Sequence, residues 1–149
     1  MSPGSTVLFG AFPSELRFSR TEKRLLSDFA RDLSRAVTAG RPFDCLITGD
    51  AELHRLNRTF LGNDYPTDVL SFPNGEALGE IAISAERAAA QAHSFGHSVL
   101  DEIRILMLHG LLHLSGMDHE KDRGEMARAE AHWRGKFGLP QTLIARTVA

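Results

Sequence analysis

Apolar residues recur along this chain with two different periods, and the alternation between them predicts the elements. Thr6-Val7-Leu8-Phe9 is a short run of β-branched and aromatic residues, and residues 43–48 form another; both read as strands. Residues 69–72 and 78–84 read as two more, the latter with apolar positions at Ile81 and Ile83. Asn74-Gly75 is a turn signal between them, consistent with a hairpin whose loop exceeds two residues. The other segments follow the helical period. Ser19-Arg20-Thr21-Glu22 has the form of a capping box, and the helix it opens carries Leu25, Leu26, Phe29, Leu33 and Val37 on one side before Gly40 and Pro42 close the unit. Asp50 is expected to cap a helix bearing Leu53, Leu56 and Phe60, followed by a loop at Gly62-Asn63-Asp64-Tyr65-Pro66. Ser84 opens an alanine-rich helix that ends at Gly96. Ser98 opens the next, which runs to Gly116 and is apolar around most of its circumference, as a central buried helix is. A last helix over about 121–137 places Met126, Ala129, Trp133 and Phe137 at spacings of three and four, so Trp133 and Phe137 read as packing residues rather than base-stacking platforms.

Strands interspersed with helices give an α+β fold with one small mixed sheet. At 149 residues, of which 42% are hydrophobic, the chain is expected to form a single domain spanning 1–149, with 1–5 and 141–149 as loosely ordered tails. Cys45 is the only cysteine, which excludes an internal disulfide and fits a reducing compartment. The first residues lack a basic and apolar leader, and the apolar run over 103–114 contains Arg104 and two histidines and is too short to cross a bilayer. A cytoplasmic protein without membrane contact is expected. The net charge of −2 gives no support for nucleic-acid binding, so any RNA contact has to come from a local patch. One candidate is the stripe of Arg20, Arg24, Arg31 and Arg35, whose directions fall within about 60° of each other on the first helix. Asp28 and Asp32 interleave with it, so it reads either as a solvated face or as an RNA-backbone contact.

The candidate chemistry lies in the segment 109–119, which reads H-x-x-x-H-x-x-G-x-x-H. Helical residues four apart differ by about 40° in direction, so His109 and His113 project from one face and can grip one metal ion. Gly116 can turn the chain out of the helix, which brings His119 within reach as a third ligand. Three neutral imidazoles leave a tetrahedral position open, the arrangement of a catalytic zinc, one ion per chain. Metzincin peptidases share this spacing but carry a glutamate after the first histidine as general base. Here that residue is Gly110, so the ligand frame is present without the peptidase base. Asp118, beside His119, can orient a histidine or handle a proton.

Further stretches accompany this motif: Leu56-Asn57-Arg58-Thr59-Phe60, then residues 62–73 with Pro66-Thr67-Asp68-Val69-Leu70-Ser71-Phe72, then Leu78-Gly79-Glu80-Ile81, Gln91-Ala92 and Gly96-His97-Ser98. In this order and spacing, from about Asp44 to Phe137, the chain resembles the YbeY family of bacterial endoribonucleases and ribosomal-RNA maturation factors. The resemblance implies about four strands around a central helix. It also implies a metal-dependent, single-strand-specific ribonuclease in small-subunit rRNA 3′-end maturation and ribosome biogenesis, with His109, His113 and His119 holding the zinc. Single-stranded RNA, ribosomal RNA and the small ribosomal subunit are the partners it implies; no DNA is expected. His97 and Glu102 match family positions and are candidate substrate-binding residues at the cleft. The chain departs from the family pattern at Leu61, where an arginine is expected; Arg58, three residues earlier, is either its substitute or a solvated helix charge. Two other readings stay open: a zinc peptidase-like hydrolase, disfavoured by Gly110, and a zinc-binding assembly factor of reduced activity.

Overall fold

The computed structural model describes residues 4–73, 78–118 and 120–140. Its elements follow the two periods of the sequence. They are β1 (Thr6–Phe9), α1 (Arg20–Val37), β2 (Phe43–Thr48), α2 (Asp50–Leu61), β3 (Val69–Pro73), β4 (Gly79–Ser84), α3 (Ala85–Phe95), α4 (Val99–Leu114) and α5 (Glu125–Phe137), with a 3-10 turn at Ser14–Leu16 that the sequence reading lacked. The strands form one sheet in the order β1-β2-β4-β3. β1, β2 and β4 run parallel, and β3 is an antiparallel edge. The α+β expectation with a small mixed sheet therefore holds.

Strand alternation sends two sets of side chains to opposite faces. Phe43, Cys45, Ile47, Ile81 and Ile83 enter the main core with α1, α3, α4 and α5, whereas Leu70 and Ala82 meet Leu53 of α2 on the other face. Eleven of the sixteen residues of α4 are buried, so this helix is the centre of the main core. Its start is set by Ser98, whose hydroxyl accepts the Asp101 amide at 3.1 Å. The Ser19 capping box also forms, in both directions, and Ser84 caps α3; caps of this kind contribute about 1 kcal/mol each.

Four local expectations are corrected. Asp50 is the first residue of α2 and its side chain does not cap that helix. Its carboxylate instead accepts the Ser84 hydroxyl at 2.6 Å and Arg87 Nε at 3.2 Å, while Glu86 accepts the Asp50 amide at 2.9 Å, so side chains tie the starts of α2 and α3 together. The last helix starts at Glu125 rather than near 121, because Gly124 takes φ 95° and Asp122 accepts the Gly124 and Met126 amides, both at 2.9 Å. Ser5, assigned to a loose tail, is buried, contacts the Ser34 hydroxyl and accepts the Phe43 amide at 3.0 Å. Leu25, placed on the apolar side of α1, is 42% exposed. The Asn74-Gly75 turn and the tail 141–149 lie outside the described residues. Among the described residues no helix is long and apolar enough to cross a membrane.

Candidate active site

The C-terminal half of α4 passes beside the edge strand β3, and an open cleft of about 680 Å³ lies between them. His109, His113 and Asp118 line it from one side; Thr67, Asp68, Val69 and Ser71 line it from the other. Gly110 allows α4 to lie this close. A Cβ there would stand 3.0 Å from both Ile81 Cγ2 and Ser71 Oγ, and the Ser71 hydroxyl donates to the Gly110 carbonyl at 3.0 Å. The position held by the peptidase glutamate therefore faces the sheet, with no room for a carboxylate.

The two rings are oriented by different groups. His109 Nδ1 meets Glu130 Oε2 of α5 at 2.5 Å, with both side chains almost fully buried. His113 Nδ1 lies 2.9 Å from the Met117 carbonyl. A carboxylate and a carbonyl only accept, so each Nδ1 carries a proton, and a ring in its neutral form then turns the Nε2 lone pair to its neighbour. Those two Nε2 atoms are 3.1 Å apart. Two lone pairs converging at that distance suit a shared cation. A tetrahedral zinc at about 2.0–2.1 Å from each nitrogen would set them roughly 3.3 Å apart. The donor set thus fits the ion that the spacing predicts.

The other candidates fall in several places. His119 lies outside the described residues. Asp118 is half-buried and holds the turn that follows α4: its Oδ1 accepts the Glu120 amide at 3.1 Å and its carbonyl accepts the Lys121 and Asp122 amides, also at 3.1 Å. His97 and Glu102 pair with each other at 2.6 Å at the start of α4, away from the cleft lining, with the Glu102 side chain fully buried. Arg58 is exposed on α2 and does not line the cleft. Its neighbour Asp64 is held below the usual carboxylate range, chiefly by a 2.7 Å hydrogen bond from His54 and also by the Arg58 charge. Leu61 is 52% exposed and lines a second, apolar groove on the opposite face of the sheet. Arg20, Arg24, Arg31 and Arg35 are all exposed on α1 and outside the cleft lining; Arg31 pairs with Asp28, and Arg35 lies 3.7 Å from Asp32.

Two carboxylates escaped the sequence reading. Glu130 was legible in part, since spacings of four, three and four place it with Met126, Trp133 and Phe137 on the packing face of α5, where a lone acid is out of place. Asp68 stands across the cleft from the histidines, with Oδ2 accepting from Gln91 Nε2 at 3.1 Å. It was quoted only as part of a motif.

Fold and site define a class: an α+β domain whose buried central helix presents two histidines, one turn apart, to an open polar cleft beside an edge strand. The family model described as Endoribonuclease YbeY matches residues 14–138, and the chain belongs to that family. Endoribonuclease YbeY of Solibacter usitatus is 58% identical over 144 residues, covering 96% of this chain and 95% of the relative. That of Koribacter versatilis is 45% identical over 134 residues, covering 88% of each chain. The fold is similar to the solution structure of a Thermotoga maritima protein, with a TM-score of 0.60 at 23% identity over 89% of this chain and 91% of that one.

Proposed function

We propose that this protein is a zinc-dependent, single-strand-specific endoribonuclease acting in ribosomal-RNA maturation and ribosome biogenesis, in the cytoplasm and with the small ribosomal subunit as its setting. One observation carries the reading: the paired Nε2 atoms, 3.1 Å apart, of two rings each fixed by an acceptor at Nδ1. Membership of a family named for endoribonuclease activity supplies the substrate class. His109 and His113, with His119 from the sequence pattern, would hold one zinc ion. When bound, zinc supplies a Lewis acid for a phosphoryl oxygen and lowers the pKa of a water.

The chain's own residues supply orientation and proton transfer. Glu130 and the Met117 carbonyl keep the imidazoles aimed into the cleft. Asp68 lines the cleft and is the carboxylate that would take a proton from the attacking hydroxyl; Gln91 donates to its Oδ2 at 3.1 Å and the Thr67 hydroxyl lies 3.4 Å from its Oδ1. No lysine or arginine lines the cleft among the described residues. The positive charge that meets a phosphodiester there has to come from the histidine centre, so chelation should weaken RNA binding as well as cleavage. A single strand can splay its backbone into such a cleft, and a duplex cannot. The departure at Leu61 removes no cation from the cleft lining, which favours an active enzyme over an inactive assembly factor.

The test is incubation of the purified protein with single-stranded RNA, duplex RNA and casein, with and without chelator. Chelator-sensitive cleavage of the single strand, weaker cleavage of the duplex and intact casein are expected. Digested casein with intact RNA would replace this reading with the peptidase; no cleavage of any substrate would replace it with the assembly factor.

A further inference from the structure

Asp68, the carboxylate assigned as base, stands just before β3, and its side chain is held from a separate helix. Its carbonyl accepts the Ser84 amide at 2.9 Å, which fixes the backbone. Gln91 of α3 reaches the carboxylate, with Nε2 donating to Oδ2 at 3.1 Å. The Thr67 hydroxyl lies farther off, at 3.4 Å from Oδ1. The other two acids of the cleft lining are placed differently: Asp118 accepts a backbone amide of its own turn, and Glu120 is exposed.

The other end of the same amide is out of keeping with a structural role. Gln91 Oε1 is buried and finds no hydrogen-bond partner among the described residues. Buried polar atoms are nearly always paired, and an acceptor left unpaired destabilises the fold. The packing of α3 does not call for the amide, since Ala85, Ala88 and Ala92 are its buried residues. Helix propensity does not call for it either, because methionine is as good a helix former as glutamine. What the amide supplies is the bond to Asp68. That bond also fixes which way the amide faces: turned over, it would set Oε1 against the carboxylate, lone pair against lone pair.

We propose that Gln91 is a positioning residue for RNA cleavage: its Nε2 holds the Asp68 carboxylate in place at the cleft wall, and the fold tolerates a buried, unpaired oxygen on the same amide as the consequence. This rests on the nuclease reading and on Asp68 as its base. Gln91 touches no substrate, because it lies outside the cleft lining and its Oε1 is buried. It acts on the reacting step and not on binding, and it leaves the histidine pair across the cleft alone. Loss of the amide should therefore lower the rate without lowering stability, as a residue kept for activity rather than for the fold does.

The experiment compares wild type, Gln91→Met, Asp68→Asn and the double variant. Methionine keeps the length of the side chain and removes both the donor and the unpaired acceptor. The melting temperature of Gln91→Met should equal or exceed that of wild type, because removal of the unpaired oxygen offsets the lost bond to Asp68. Zinc content and KM for single-stranded RNA should hold, while kcat falls about 10- to 100-fold. Gln91→Glu, of the same shape but with an acceptor where the donor stood, should lower kcat at least as far. In the Asp68→Asn background, Gln91→Met should lower kcat no further, since the group it positions is already gone. A glutamine kept for stability alone predicts the reverse, a lower melting temperature with kcat intact, and that result overturns the proposal. So does a full second loss of rate in the double variant, or a raised KM with kcat unchanged. Wild type without chelator-sensitive RNA cleavage would overturn the nuclease reading, and this proposal with it.

Discussion

At the scale of single residues, the site depends on which nitrogen of each imidazole carries the proton. Glu130 sets this for His109 and the Met117 carbonyl for His113. Replacing Glu130 by Gln keeps an acceptor but removes the charge that strengthens the ring as a donor. Zinc affinity, measured by competition with a chromogenic chelator, should fall about 10- to 100-fold; an unchanged affinity would remove Glu130 from the site. Asp68→Asn should retain zinc and RNA binding but lower kcat by about 10²- to 10⁴-fold, as loss of a general base does. Should kcat hold, the proton goes elsewhere. Leu61→Arg is a different kind of change. Because Leu61 is 52% exposed, the new charge is not buried, and stability should shift by no more than about 0.5 kcal/mol. Because position 61 lies off the cleft lining, affinity for single-stranded RNA and its salt dependence should stay unchanged; a higher affinity with a steeper slope in filter binding would show that position 61 meets the substrate. The histidine pair was legible because both members sit on one helix, where spacing determines direction. Glu130 comes from another helix, and spacing along a chain says nothing about which helices meet.

At the scale of elements, α4 unites core and site, and Gly110 is where it touches the sheet. Glycine is a poor helix former, so Gly110→Ala should gain up to about 1 kcal/mol from propensity. Against this, the new methyl meets Ile81 and Ser71 at 3.0 Å, and overpacking of that kind costs roughly 1–3 kcal/mol. A net loss of about 1 kcal/mol is expected from the urea midpoint at constant slope, and a gain would show that α4 can move away from β3. Gly110→Glu should be far more damaging and should create no peptidase. The caps at Ser19, Ser84 and Ser98 could be read directly, since an N-cap is a local contract between residues three apart. Asp50 could not, because its carboxylate is claimed by Ser84 and Arg87, more than thirty positions away. The late start of α5 follows from one dihedral angle at Gly124, and composition does not announce such an angle.

At the scale of the whole molecule, alternation reveals strands but not their order. That β4 lies between β2 and β3 depends on the connection through α2 and the antiparallel return from β3, and the sequence supplies only the family resemblance for it. The same gap affected the surface. The arginines of α1 formed a visible stripe, yet the fold sets that helix against β1 and α4 with its charged face outward, two of its arginines beside neighbouring aspartates. The apolar groove beside Leu61 could not be foreseen, because it exists only once β1, β2 and β4 are aligned. The central claim joins these scales: one buried helix holds a metal on which RNA cleavage depends. It is tested most directly by elemental analysis of purified wild type and His113→Ala, with single-stranded RNA cleavage followed on the same samples. About one zinc per chain in wild type, with most of the metal and all chelator-sensitive cleavage lost in the variant, is the predicted result. Equal zinc in the two proteins would contradict it.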